Sequence, residues 1–167
     1  MRIEVIPNVI TGANLVVGML AVTYALQDKY VLAAILIIIA AFLDKFDGSV
    51  ARKLGVNSDF GKELDSLADL VSFGVAPALT VYLWKLSELG AAGVLVMIVF
   101  VLFGALRLAR FNIMNVTGHF VGVPITIAGS MVAIIVLAAG SIPAFVSALL
   151  VLLLALLMVS GFKIPKI

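Results

Sequence analysis

The chain has no cysteine, which excludes disulfides and thiolate metal ligands alike. It has one histidine, His119, placed after a glycine in a connecting stretch, where an exposed loop residue is the expected reading and a catalytic one is not. Charge is scarce: 12% of residues are charged and the net charge is +2, too little to argue for a nucleic-acid partner. The basic residues are better used to orient a chain in a bilayer. What remains is apolar. Hydrophobic residues make up 64% of the 167, and the mean hydropathy of +1.30 lies outside the range of soluble globular domains. The composition is that of an integral membrane protein, all-α, because only helices satisfy their own backbone within one segment.

Apolar runs begin near Val9, Tyr30, Ala68, Leu89, Val121 and Ile142, which predicts six transmembrane helices in one domain over residues 1–167. Residues 1–12 carry an acid, Pro7 and Asn8 before the first apolar run, and no small-residue cleavage site follows, so a retained first helix is expected. Polar or glycine-bearing breaks fall at Asp28 and Lys29 and at residues 55–58, 87–90, 115–118 and 140–143. Alternating sides puts Arg2, Arg52, Lys53, Lys62, Arg107, Arg110, Lys163 and Lys166 on one face, against Lys29 and Lys85 on the other. The positive-inside rule then predicts both termini in the cytoplasm. Tyr82 and Trp84 fall where an aromatic belt would meet the far interface.

Against this background residues 44–69, DKFDGSVARKLGVNSDFGKELDSLAD, are anomalous. They hold Asp44, Asp47, Asp65 and Asp69. A charged side chain at the bilayer centre costs roughly 2.5 to 3.5 kcal/mol on insertion scales, so acids in this chain require a partner. The second apolar run, residues 30–43, is shorter than a span, and the helix must continue through Asp44. At 1.5 Å per residue Asp44 lies about 21 Å from Tyr30; Asp69 lies about 22 Å from Trp84, and Arg107 about 27 Å from Leu89. With a hydrocarbon core about 30 Å thick, acids and arginines converge near its cytoplasmic edge. The i,i+3 pair Asp44/Asp47 and the i,i+4 pair Asp65/Asp69 each share one helix face. Gly48 and Ala51 continue the first face and Gly61 the second, and small residues there keep a cleft open.

An all-oxygen cluster suits a hard cation, Mg²⁺, Mn²⁺ or Ca²⁺. Four carboxylates match two divalent ions in charge, and a two-metal site clamps the oxygens of a phosphoryl displacement. Arg52 and Lys53 would add positive charge for a phosphate substrate. The bland alternative pairs the acids with Lys45, Arg52 and Lys62, but it does not explain why four acids face one cleft at one depth.

Asp44-x-x-Asp47-Gly48-x-x-Ala51-Arg52, then eight residues, then Gly61-x-x-x-Asp65-x-x-x-Asp69, resembles the signature of the CDP-alcohol phosphotransferase family, membrane enzymes of phospholipid synthesis. The resemblance implies transfer of a phosphatidyl-type group from a CDP-linked lipid to an alcohol, with release of CMP. It implies that Asp44, Asp47 and Asp65 bind two divalent cations, Mg²⁺ or Mn²⁺, and that Asp69 joins them and acts as base on the acceptor hydroxyl. Gly48, Ala51, Arg52 and Gly61 would contact the CDP moiety. Asn8 and Thr11 either cap the first helix or touch the nucleotide phosphates. The resemblance also implies a homodimer in the cell membrane, its site facing the cytoplasm.

Flanking stretches, residues 63–77, 107–112 and 122–126, resemble the branch of that family whose acceptor is L-serine. Serine carries a carboxylate, which calls for a guanidinium; Arg107 and Arg110, i,i+3 at the depth of the acids, with Asn112 beside them, could hold it. The alternative for both arginines is topology and snorkelling. Other acceptors, glycerol phosphate or inositol phosphate, would also want basic residues. In a different class, membrane carboxylates mark ion pathways, so a divalent-cation transporter is a second hypothesis. A carrier would place its acids near the midplane between inverted repeats, and no repeat is visible.

Overall fold

A computed structural model describes residues 5–54, 58–113, 119–138, 142–160 and 163–165; the side chains of 5–6, 47–54, 119–121 and 163–165 fall outside that description. Among the described residues the structure is mostly helical. Helix α1 (Val5–Ala25) packs along α2 (Tyr30–Leu54), and the turn between them ends at Asp28, in left-handed conformation. Ser58 caps α3 (Asp59–Asp69), its hydroxyl accepting from the Gly61 N–H at 3.1 Å, while Asp59 faces the positive end of the helix.

Beyond Asp69 the third helix does not run uniformly. A π-helical turn (Leu70–Val75) leads into α4 (Ala76–Trp84), with the Ala76 N–H bonded to the Val71 carbonyl. Pro77 lies at the start of α4 and brings no N–H of its own, so the ordinary α ladder is interrupted here. A 3₁₀ turn (Leu86–Leu89) and Gly90, at φ 57°, reverse the chain into α5 (Ala91–Ile113). Helix α6 (Ile125–Ala138) packs on α2 and α4, and α7 (Ala144–Val159) packs along α5.

The outer surface is apolar like the interior, which holds Phe73, Phe100 and Ile37 as well as small residues. Alanines such as Ala21, Ala25, Ala33, Ala34 and Ala40 are fully buried, while Leu95, Ile98, Leu102 and Leu106 of α5 and Leu149, Leu153 and Leu156 of α7 face outward. An apolar outer face, with small residues among those inside, is what helices surrounded by lipid require. Among the described residues three helices are long and apolar enough to cross a membrane: Pro7–Ala25, Asp59–Trp84 and Ala91–Ile113. The last two helices, of 14 and 16 residues, are shorter than an ordinary span.

The expected break at 87–90 coincides with a helix end, while those at 55–58, 115–118 and 140–143 fall wholly or partly outside the described residues. One feature differs from expectation. The fifth helix begins at Ile125, not near Val121, because strand β1 (His119–Val121) pairs antiparallel with β2 (Lys163–Pro165), Phe120 opposite Ile164. Gly122 then turns the chain at φ 78°. This small ribbon ties the entry of α6 to the chain beyond α7.

Candidate active site

Asp44 sits two-thirds of the way along α2, half-buried; Asp65 and Asp69 lie one turn apart on α3, and Asp69 is only 7% exposed. One carboxylate oxygen from each comes within 4.8 Å of the others. Asp44 Oδ2 also accepts from Thr126 Oγ1 of α6 at 3.3 Å. Three helices distant in sequence therefore meet at one carboxylate cluster. Asp47 lies one turn further along α2, and its side chain, like those of Gly48, Ala51 and Arg52, falls outside the described residues.

Arg107 faces this cluster from α5, close enough to interact with both Asp44 and Asp69. It is half-buried, its guanidinium 5.5 Å from the Phe111 ring, and its Nε is buried with no hydrogen-bond partner among the described residues. Like charges this close in a poorly hydrated site repel strongly, and a divalent cation removes that repulsion. The donor set fits such an ion: all ligands are carboxylate oxygens, and their mutual separations suit oxygens around a single hard cation. The cluster can therefore hold a metal.

Other candidate residues separate into those brought together and those turned elsewhere. A Cβ built on Gly61 would stand 3.0 Å from Asn8 Oδ1 and 3.1 Å from Ser58 Oγ, so the start of α1 lies against the start of α3. Asn8 and Thr11 are both inside α1, which begins at Val5, so neither is its N-cap; the buried Thr11 hydroxyl donates to the Pro7 carbonyl at 3.1 Å. Arg110 is exposed. Asn112 is engaged with α3: its Nδ2 donates to Ser66 Oγ at 3.0 Å and reaches Glu63 Oε1 at 3.4 Å, while Lys62 Nζ donates to the Asn112 carbonyl at 3.0 Å. That lysine satisfies a carbonyl in the last turn of α5, a favourable place for a cation.

Sequence reasoning missed Thr126 as a site residue, along with Ser66 and Glu63 as anchors. It also missed Asn14, fully buried on α1 with both amide atoms unpartnered among the described residues, whose backbone carbonyl accepts from Ser72 Oγ at 3.1 Å. The signal for Asn14 was present: a lone amide one turn from Thr11, inside an apolar run.

Comparison with known proteins gives a family. The family described as CDP-alcohol phosphatidyltransferase matches residues 4–160. The chain is 39% identical to a CDP-diacylglycerol–serine O-phosphatidyltransferase of Helicobacter pylori, over 96% of this chain and 71% of that protein. It is 42% identical to the enzyme of the same name from Methanocaldococcus jannaschii, over 99% of this chain and 76% of that one. To an archaetidylserine synthase of Methanothermobacter thermautotrophicus it is 33% identical, over 97% and 70%.

Proposed function

We infer the reaction from one premise: the chain belongs to the CDP-alcohol phosphatidyltransferase family. The protein is a transferase of phospholipid synthesis that moves the phosphatidyl-type group of a CDP-linked lipid onto the hydroxyl of L-serine and releases CMP. The relatives support serine in particular, because names that differ in the lipid, diacylglycerol in two and archaetidyl in the third, agree on the acceptor. The observation that carries the mechanism is the convergence of Asp44, Asp65 and Asp69 beside Arg107.

Asp44, Asp47, Asp65 and Asp69 hold two divalent cations, Mg²⁺ or Mn²⁺. When bound, these supply the positive charge that neutralises the pyrophosphate and stabilises departing CMP. Asp69 takes the proton of the serine hydroxyl; the serine oxygen bonds to the lipid-side phosphorus as the bond from that phosphorus to the CMP oxygen breaks. Arg107 receives the serine carboxylate, its planar fork suited to that group. Arg110 and Asn112 stand behind it, the first as exposed positive charge and the second as a tie between α5 and α3. Gly48, Ala51, Arg52 and Gly61, with Asn8 and Thr11, take the CDP head; the adjacency of Asn8 and Gly61 supports that grouping.

The same reading places six spans in a single domain of the cell membrane, as a homodimer, with both termini and the acid cluster at the cytoplasmic edge. In its support, Arg107 and Arg110 lie at one end of α5, while the Lys85–Glu88 ion pair, at 2.8 Å, lies at the other. Helices α6 and α7 rise about 21 and 24 Å, and they cross with flanking chain or local thinning of the bilayer.

The test is CMP release by purified protein given a CDP-lipid and Mn²⁺ or Mg²⁺, with L-serine, glycerol 3-phosphate, inositol phosphate and simple alcohols compared as acceptors. Serine-dependent release is expected. Release with another acceptor instead would overturn serine, and none with any acceptor, accompanied by cation flux in liposomes, would overturn the transferase itself.

A further inference from the structure

Thr23 and Thr80 each donate the side-chain hydroxyl to the carbonyl four residues back on their own helix, at 2.9 and 2.7 Å. This is the usual fate of a threonine in an apolar helix. Thr126 does otherwise. It stands in the first turn of α6, where no helical carbonyl lies four residues back, and its hydroxyl donates to Asp44 Oδ2 across 82 residues of sequence. We propose that Thr126 is a positioning residue for Asp44, and that the end of the last helix serves to hold Thr126 in place.

The proposal rests on the metal-dependent reading of the cluster and adds how one of its ligands is aimed. Asp44 lies beside Asp69, a like charge, and without restraint its carboxylate would swing away. A hydroxyl bonded to one oxygen fixes the side-chain torsion and leaves the other oxygen for a cation; partners of this kind typically matter about 10- to 100-fold in metal affinity. Thr126 also stands at the N-terminal end of α6, and this end of a helix favours a carboxylate nearby.

Thr126 is itself held from several sides. Ser130 Oγ donates to the Thr126 carbonyl at 2.7 Å, and the Ala128 N–H donates to the Pro124 carbonyl at 3.0 Å, which sets the helix start. Just before, the Val123 N–H donates to the Leu157 carbonyl at 3.1 Å. Gly122, at φ 78°, lies so close to the Met158 carbonyl that a Cβ could not be accommodated. One turn further into α6, a Cβ on Gly129 would stand 2.5 Å from the Phe73 carbonyl, so the helix cannot slide over the third one. Helix α7 offers the site no acid or base of its own. Its C-terminal end nevertheless fixes the backbone that aims Thr126 at Asp44.

The experiment measures Mn²⁺ binding to purified protein in detergent, without substrate, by the electron paramagnetic resonance of free Mn²⁺. Thr126→Val, which keeps the shape and loses the hydroxyl, is expected to bind Mn²⁺ about 10-fold more weakly. Thr126→Ser, which keeps the hydroxyl, is expected to restore most of that affinity. At saturating Mn²⁺ the KM values for serine and CDP-lipid should match wild type in both. Should Thr126→Val not yield folded protein by size exclusion, Thr126→Ala takes its place against Thr126→Ser. Wild-type affinity in the variant lacking the hydroxyl, or equal weakness in Thr126→Ser, overturns the proposal while leaving the metal reading intact. A wild-type protein that binds no Mn²⁺ overturns both.

Discussion

At the acid end of the bundle, helices far apart in sequence meet through side chains: Thr126 with Asp44, Asn112 with Ser66, Lys62 with the Asn112 carbonyl. Through the middle they meet through backbones. Gly18 lies against Ser72 and Gly129 against Phe73, each too close for a side chain. The difference follows from the solvent. In lipid, apolar side chains gain little by leaving their surroundings, so helices hold together by close approach and dispersion, which glycine permits. Where charge must be confined, polar groups do the joining, and their geometry is set bond by bond. Substitutions at the acid end should therefore cost function and spare the fold, and substitutions in the middle should do the reverse.

Asp69→Asn tests the first half most severely. Turnover should fall about 10²- to 10⁴-fold, as for loss of a general base, while the protein stays folded and still binds CDP-lipid; full activity would remove Asp69 from that role. Gly129→Ala tests the second half: a methyl group against the Phe73 backbone should destabilise by about 1–3 kcal/mol. Thermal unfolding in detergent reads that loss, and the ratio of serine to other acceptors should not move. An unchanged melting temperature would show that the middle packs less tightly than described.

Arg107→Lys separates binding from packing at the acid end. The KM for serine should rise about 10-fold, because lysine cannot reproduce a planar fork, and the KM for CDP-lipid should stay within about 2-fold. An equal rise in both would return Arg107 to a general electrostatic role. The smallest effect is expected for Asn112→Ala, which removes hydrogen bonds at a partly exposed tie and should cost about 1 kcal/mol of stability. A serine KM change as large as that of Arg107→Lys would place Asn112 in the substrate pocket instead.

What could be read without coordinates was whatever follows from cost and period. Acids in an apolar chain announce themselves, and i,i+3 and i,i+4 spacing says which of them share a face; Asp44, Asp65 and Asp69 do converge. The helix end at 87–90 followed from Gly and Ser. Pairings across the bundle had no such trace. Spacing treats Arg107 and Arg110 alike, yet the rotation of α5 half-buries one and exposes the other. Asn112 carries nothing in its own neighbourhood to say that it meets Ser66, 46 residues away. The ribbon of His119–Val121 with Lys163–Pro165 is too short for any alternating pattern to show.

The π-helical turn after Asp69 has a consequence for how such a protein can change. A turn with one surplus residue rotates whatever follows it by roughly 100°, the angle per residue of an α-helix. The third helix thus behaves as two rods on one shaft with a fixed phase offset between them. The half bearing Asp65 and Asp69 is aimed by α3, and the half bearing Ala76, Ala78 and Val81 fits its neighbours by α4. Deleting a single residue from Leu70–Val75 would bring the two rods into one phase, and the bundle could then satisfy its packing or its chemistry, but not both.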